Sequence, residues 1–450
     1  MQRVECDKRP NCKRNLFILS FFAVKKILII SYYFPPCNIV SAQRARSFAE
    51  NFKRHGLYPV IATRHWTGDE TSTAGYESEN LSPPAITEFD DYTLIQLPYA
   101  AQLNGSLPHA LAGNKVGKLL LYSLLYASGT VNPKCNADAA FGEFLEGHLR
   151  REPVDYILAT AFPMNTLKLG SRLARKFEVP FIADFRDLWD NGLLSENYSP
   201  PLPERLQNAF YEFYLRRWLA PARLITAVSE PLFGEIDRVA PQAKKLLVTN
   251  GFEGSVFADA RERFAPSGDA FVFSVVGTLE PKLDLSVMIA GLQRFLADKS
   301  SSDVRLNFIG AEAFPEVAAR LKNELPLARV TGRIPRDEAI RIMAESHVLF
   351  HAGWRGYRGM ASGKIYEYLG AGRNILIAPD DHDVMHKIVT ETGAGKLVDT
   401  PDEFTDVMNG WFDEWKATGS VAYKGIDSKI EYYTREKQAE KLARAILEIQ

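Results

Sequence analysis

The sequence predicts an α/β protein built from two doubly wound parallel-sheet domains that face each other across a cleft. Three observations predict it. The chain has 450 residues, enough for two or three domains at roughly 100–200 residues each. From Lys26 onward, short apolar runs alternate with longer amphipathic segments, the pattern of a parallel sheet covered by helices. That alternation lapses once, between Phe252 and Ala270, where Gly254, Pro266, Ser267 and Gly268 read as an interdomain linker, and then resumes.

The elements follow in order. A strand over 27–31 leads into a loop carrying Pro35 and Pro36. Ser41 reads as a helix N-cap, and Ala42, Ala45, Phe48, Ala49 and Phe52 recur at helical spacing until Gly56 ends the element. Further strands read at 58–62, 94–97, 156–159, 180–184, 224–228 and 245–249. Past the linker a second set reads at 271–276, 304–309, 329–331, 348–351, 374–377 and 396–398. The organisation is therefore an N-terminal extension over 1–24, a first domain over 25–255, a second over 256–427, and a C-terminal helix over 428–450 expected to pack back on the first domain. In open parallel sheets ligands lie beyond the carboxyl ends of the strands, so two facing sheets make a deep cleft with the linker as a hinge.

Composition narrows the function. Hydrophobic residues make up 46% and charged residues 24% of the chain, which therefore builds cores and is not disordered. The balance of 54 basic against 55 acidic residues lacks the basic excess of bulk nucleic-acid binding. Cys6, Cys12, Cys37 and Cys135 show neither CxxC nor Cys/His ligand spacing, so no disulfide framework or zinc site is indicated and a reducing cytoplasm fits. At the N-terminal end Arg3, Lys8, Arg9, Lys13 and Arg14 precede an apolar run over 16–24. No small-residue cleavage site follows. As a helix the run reaches roughly 13 Å, short of the roughly 30 Å hydrocarbon core, and it reads as a dispensable extension or a short surface anchor. The segment over 115–126, with Leu119, Leu120, Leu121, Leu124 and Leu125 after Lys115 and Lys118, reads as a buried helix or as one lying on a membrane face.

The chemistry concentrates over 362–372, Ser-Gly-Lys-Ile-Tyr-Glu-Tyr-Leu-Gly-Ala-Gly. Ser362 can cap a helix whose first turn holds Gly363 and Lys364, leaving free N–H groups and a positive dipole end for an anion. Gly363 admits a phosphate close to the backbone, Lys364 adds a mobile cation, and Glu367, one turn on, can accept hydrogen bonds from a sugar or ribose diol. An ordinary capped helix with a solvent Lys364–Glu367 pair is the alternative. In the first domain Asp184, Arg186, Asp187 and Trp189 end a buried-strand pattern and point at the cleft. There they orient an acceptor hydroxyl and meet a phosphate, or they form a structural Asp–Arg network. Arg44 and Asn250 are further candidates for an acceptor or phosphate contact, beside their plainer readings as a surface arginine and a turn residue. The run Asp380-Asp381-His382-Asp383 reads as a polar loop, because four adjacent residues rarely converge on one ion; no metal ligand is assigned. Cys37 has no histidine placed to activate it. The first strand–helix turn lacks a GxGxxG fingerprint, against a dinucleotide dehydrogenase.

The segment over 362–372 resembles the donor-binding helix of family 4 glycosyltransferases. Similar features occur in family order: Ile27-Leu-Ile-Ile-Ser-Tyr-Tyr-Phe-Pro-Pro36, Ala42-Gln-Arg-Ala45, Phe181-Ile-Ala-Asp-Phe-Arg-Asp-Leu-Trp189, Ile225-Thr-Ala-Val-Ser-Glu230, Thr249-Asn-Gly-Phe252, Val276-Gly-Thr-Leu279, Leu306-Asn-Phe-Ile-Gly310, Gly332-Arg-Ile-Pro335 and Lys364-Ile-Tyr-Glu-Tyr-Leu369. The resemblance implies the GT-B fold of two Rossmann-like domains and retaining transfer of a sugar from a nucleoside diphosphate sugar, with no cofactor and no metal. It implies a saccharide or lipid-linked acceptor in cell-surface glycan synthesis, a cytoplasmic location and peripheral membrane contact. It implies that Gly277, Lys282, Ser362, Gly363 and Lys364 hold the donor diphosphate and that Glu367 binds the ribose. Two positions depart from the family: Gly359 stands eight residues before Glu367 in place of a glutamate, and Thr278 stands where an arginine often follows the glycine. A sugar-nucleotide epimerase of related fold and a non-catalytic partner subunit are the alternatives.

Overall fold

The computed structural model describes residues 24–449 apart from 38, 69–74, 76, 101–116, 118–128, 130–137, 267 and 361. The expected N-terminal extension before Val24, and the 115–126 segment except Gly117, lie outside the described residues.

The first sheet comprises β1 (Lys25–Ile30), β2 (Leu57–Arg64), β3 (Ala85–Glu88), β4 (Thr93–Leu97), β5 (Tyr156–Ala161), β6 (Phe181–Phe185), β7 (Ala222–Ala227) and β8 (Lys244–Leu247), in the order β3-β4-β2-β1-β5-β6-β7-β8. The second comprises β9 (Phe271–Val276), β10 (Val304–Ile309), β11 (Ala328–Thr331), β12 (Val348–His351), β13 (Asn374–Ile377) and β14 (Gly395–Leu397), in the order β11-β10-β9-β12-β13-β14. Every described pairing is parallel except β3 with β4. Strands such as β5, β6, β9, β12 and β13 are buried along their whole length, which is why they read as unbroken apolar runs rather than alternating ones. The sequence gives no sign of β3 for the opposite reason. It is an edge strand with three exposed residues in four, so no buried face writes a pattern into it.

Helices α1 (Val40–Asn51), α2 (Asp138–Arg151), α3 (Asn165–Phe177), α4 (Leu202–Leu219) and α5 (Leu232–Val239) accompany the first sheet. Next come α6 (Gly254–Arg263), α7 (Ser286–Leu296), α8 (Pro315–Glu324), α9 (Arg336–Glu345), α10 (Gly363–Ala371), α11 (Val384–Thr392) and α12 (Pro401–Thr418), then α13 (Asp427–Glu431) and α14 (Arg435–Leu447). Two expectations need correction. Ser41 lies inside α1, where Ile39 takes the cap position without a side-chain bond. Much of the expected linker is α6, whose Phe257 and Ala260 are buried in the core of the second sheet; the flanking Gly254 and Pro266 hide that short period.

The chain crosses between the domains twice, and the two crossings run side by side. Phe252 pairs with Thr434, with Phe252 N donating to Tyr433 O at 3.2 Å and Arg435 N to Phe252 O at 2.8 Å. Beyond that point α14 packs Ala439, Leu442, Ala443 and Ile446 against Ile27, Ile29, Phe48, Phe52 and Leu224 of the first domain. The domains also meet at the far rim, where Ser195 bridges to Tyr357 and Ser229 Oγ donates to Gly359 O at 2.6 Å.

Candidate active site

Each sheet reverses strand order once, between β1 and β5 in the first and between β9 and β12 in the second. Loops on either side of such a switch point diverge and leave a crevice at the strands' carboxyl ends. Here the two crevices face each other. Between them lies a cavity of about 620 Å³, lined from one side by Gln43, Arg44, Arg186 and Asp187 and from the other by Gly277, Thr278, Glu280, Arg333, Ser362 and Lys364, among others.

The second-domain wall is organised around α10. Ser362 caps it, its hydroxyl accepting from Lys364 N at 3.3 Å, so the first-turn N–H groups and the positive dipole end open onto the cavity. The Lys364 stem crosses Gly277, which has φ +114°, and a Cβ at that position would collide with Lys364 Cε. Glycine is therefore needed twice over there, for its backbone and for its lack of a side chain. Lys364 Nζ donates to Thr278 O. Burial lowers the ammonium to about 8, against the opposing pull of Glu280 and Glu367. His351, buried at the end of β12, is held neutral by burial and by the charge on Lys364.

Glu367 lies one turn along α10 and also lines the cavity. It does not pair with Lys364; the nearest cation is Arg336, at 3.8 Å. Burial raises its carboxyl above the usual range although Arg336 and Arg435 oppose that shift. Both arginines are anchored by Glu253, with Arg336 Nη1 at 3.1 Å and Arg435 Nη1 at 2.5 Å from its carboxylate. Arg435 begins α14, so the returning C-terminal helix supplies part of the site.

The first-domain wall differs from expectation. Asp184 is fully buried and is not among the cavity-lining residues. Its Oδ2 accepts from Arg44 Nε at 2.9 Å, and its Oδ1 from Arg44 Nη2 at 2.6 Å and Thr226 Oγ1 at 2.5 Å. Arg44 spends its remaining nitrogen on Thr249 O at 3.0 Å. The pair is thus a pillar joining α1, β6 and β7, and the acceptor-orienting role expected of Asp184 and the free contact expected of Arg44 do not fit those bonds. Arg186 and Asp187 do reach the cavity, paired with each other, and Arg186 Nε is buried without a partner. Asn250 lines the cavity as well. Lys282 does not: it is drawn to the rim by Glu280 at 3.1 Å and by the Trp354 ring at 4.8 Å.

Gly277, Ser362, Gly363, Lys364, Glu367, Arg186, Asp187, Arg44 and Asn250 therefore share one cavity, while Asp184 and Lys282 stand outside it. Sequence alone does not single out Glu280, Arg333, Arg336 or Arg435. Arg333 lies in the run Gly332-Arg-Ile-Pro335, a usable signal; Arg435 arrives from the far end of the chain and leaves none. Gly359 is also explained. At φ +74° it packs on Ser229 and Pro231, and a Cβ there would sit 2.8 Å from Leu232 Cδ1, so the left-handed backbone and the contact between the domains both disfavour a glutamate at this position.

No family model and no curated protein matches the sequence. Solved structures do match in shape. Sucrose-phosphate synthase of Thermosynechococcus elongatus aligns over 94% of each chain with a TM-score of 0.56 at 14% identity. The α,α-trehalose-phosphate synthase (UDP-forming) of Burkholderia xenovorans, solved with glucose-6-phosphate, aligns over 94% of this chain and all of its own, with a TM-score of 0.57 at 11% identity. Anabaena HepE, solved with UDP and glucose, aligns over 94% of this chain and 99% of its own, with a TM-score of 0.53 at 13% identity. The fold is GT-B. Among the described residues of this GT-B chain, no helix is long and apolar enough to cross a membrane.

The lining of the GT-B cleft holds more basic than acidic side chains. Arg44, Arg186, Arg333, Arg336, Lys364 and Arg435 line it against Asp187, Glu280 and Glu367. Several of these cations are already paired. Among the described residues, the groups left for an anionic ligand include the α10 N-terminus, Lys364, the exposed Arg333, and Arg186 Nε and Arg336 Nη2, neither of which has a hydrogen-bond partner.

Proposed function

We propose that the protein is a retaining glycosyltransferase that moves a sugar from a nucleoside diphosphate sugar to a hydroxyl acceptor. One observation carries this reading: the capped N-terminus of α10, Lys364 and the Gly277 turn converge on one point of the interdomain cavity, with Glu367 one turn deeper. The diphosphate lies at that point. Glu367 accepts the hydroxyls of the nucleoside ribose. As the glycosidic bond breaks, the electron pair and negative charge pass to the diphosphate, and donors already aimed there stabilise it at no reorganisation cost. The acceptor enters from the first-domain wall, past Arg186, Asp187 and Asn250. Its hydroxyl proton passes to the departing diphosphate on the same face of the sugar, which retains the anomeric configuration and needs no separate base. The enclosing domains limit donor hydrolysis by water.

Two of the proteins of like fold were solved with UDP and glucose or with glucose-6-phosphate, which supports a nucleotide-sugar donor and a saccharide acceptor here. A lipid-linked or cell-surface glycan acceptor at the inner face of the membrane is part of the proposal. It is supported by Leu202, Leu206, Phe210 and Phe213, which are exposed along one face of α4 beside Arg205 and Arg216.

The test is slow turnover of UDP-glucose, UDP-N-acetylglucosamine, GDP-mannose and dTDP-glucose without acceptor, followed by proton NMR. The expected product is nucleoside diphosphate together with a free sugar first released in the donor's own anomeric form. First release of the opposite anomer contradicts retention. An epimeric sugar nucleotide with no free sugar identifies an epimerase instead.

A further inference from the structure

Outside the cleft, the second domain gathers two histidines and two aspartates from separate loops. Asp380 and His382 follow β13, His386 lies in the first turn of α11, and Asp399 follows β14. Expecting a polar loop over 380–383 overlooks His386, which the first turn of α11 sets beside that loop. The ligand-capable atoms of Asp380, His382 and His386 all lie within 4.8 Å of one another. Asp380 Oδ2 is 2.7 Å from His386 Nδ1 and 3.2 Å from His382 Nδ1. The carboxylate is buried, and its other oxygen accepts from the backbone N–H of His382 at 3.0 Å. His382 is exposed and His386 half-buried, which gives an ion a way in and a position for water.

His382 turns each of its ring nitrogens to a carboxylate. Its Nδ1 faces Asp380 at 3.2 Å and its Nε2 faces Asp399 Oδ2 at 3.1 Å. An imidazolium donates to both carboxylates, whereas a neutral imidazole carries one N–H, donates to one and turns a lone pair on the other. A metal cation between Nδ1 and Asp380 satisfies the neutral form equally: Nδ1 coordinates, and Nε2–H donates to Asp399. That is the carboxylate–histidine–metal arrangement, in which the outer carboxylate fixes the tautomer and the ring. Asp399 is itself held, since its Oδ1 pairs with Arg355 and accepts from Asp380 N at 3.2 Å.

We propose that Asp380, His382 and His386 bind a divalent transition-metal ion of the zinc, cobalt or nickel kind, with Asp399 orienting His382. Two imidazoles and one carboxylate are a donor set for such ions rather than for calcium or magnesium. A tetrahedral ion at about 2.0–2.1 Å from each donor needs donor separations of about 3.3 Å, so the 2.7 Å contact opens by roughly half an ångström, the 3.2 Å contact hardly moves, and the two imidazoles, within 4.8 Å of each other, adjust to the same spacing. The ion acts on structure, not on the diphosphate. Arg355 ties Asp399 to the loop after β12 and also donates to Asp380 O at 3.4 Å. The same loop sends Trp354, Gly359 and Met360 into the cleft wall. Metal binding therefore braces one wall of the cleft.

The experiment uses the untagged full chain, stripped with chelator and titrated with cobalt chloride, read by visible absorption and thermal unfolding. Wild type should show a saturable one-to-one ligand-field band, a raised Tm, and loss of the band when zinc is added. His386→Ala should weaken binding by more than about 100-fold, beyond the roughly 10–100-fold expected from loss of an outer-shell partner in Asp399→Asn. Absence of a band and of any Tm change in wild type with either metal overturns the proposal. So does unaltered cobalt affinity in a folded His382→Ala/His386→Ala protein.

Discussion

Replacing Lys364 with methionine weakens binding of the nucleoside diphosphate by about 10–100-fold and stabilises the empty protein by about 1–2 kcal/mol. The two effects have opposite signs because one group causes both. Lys364 is held in a site where burial lowers it to about 8 from an ordinary 10.5 and where its one direct partner is the neutral carbonyl of Thr278. An ammonium whose burial is only partly offset by the through-space pull of Glu280 and Glu367 costs stability until an anion arrives, and strain of this kind is characteristic of binding sites. The sign with pH follows. Between about 8 and 10.5 the unfolded chain binds more protons at this residue than the folded one, so Lys364 makes stability rise with pH across that window, and Lys364→Met removes the slope. Affinity for the diphosphate moves the other way, falling as pH rises through about 8 and the ammonium is lost. Calorimetric titration with the nucleotide, paired with denaturant unfolding of both proteins at several pH values, reads every part. A destabilised Lys364→Met protein with full nucleotide affinity contradicts the assignment.

Breaking the Arg44–Asp184 pillar destabilises the first domain strongly. Arg44→Met leaves Asp184 buried and unpaired, and removing one partner of a buried pair costs about 3–5 kcal/mol. The double variant Arg44→Met/Asp184→Leu recovers much of that loss, because the penalty comes from the orphaned charge and not from the missing attraction. Denaturant midpoints of the two singles and the double settle it. Asp184→Asn that keeps full stability yet loses turnover returns Asp184 to the chemistry and refutes the pillar.

That pair also shows what the sequence does and does not disclose. Asp184 ends a buried strand at the cleft, and its position is legible from the run Phe181-Ile-Ala; its partner is not, because Arg44 is 140 residues away in α1. Only the tertiary pairing decides between a carboxylate that faces a substrate and one that faces an arginine. The parallel strands are legible for the converse reason: burial on both faces, as in β9 and β12, prints the fold into local composition. Edge strand β3 has no such imprint. The α10 motif is legible because cap, glycine, lysine and glutamate fall within six residues of one helix start. Glu280 and Arg435 are brought to the same cavity by loops and by a returning helix, and Lys282 is pulled out of it by Trp354, contacts that no local pattern encodes.

Gly359 deserves the same physical reading. The missing glutamate is replaced by a close contact in which Ser229 donates to the Gly359 carbonyl and the left-handed backbone rests on Pro231. Among the described residues the carboxylates on the cavity wall are Asp187, Glu280 and Glu367, so under the proposed function these three are the acidic candidates for contact with the transferred sugar.

The central claim is that the α10 end of the cleft is a nucleoside diphosphate site, and thermal unfolding with UDP, GDP, ADP, CMP and dTDP, on wild type and Glu367→Ala side by side, tests it most directly. A ligand at about 100 times its Kd adds roughly 2.7 kcal/mol of stability, and loss of a charged acceptor to the ribose removes about 1.5–3 kcal/mol of binding. The predicted result is selective stabilisation of wild type by one nucleotide, largely lost in Glu367→Ala. No stabilisation by any nucleotide, or an equal shift in the variant, contradicts it.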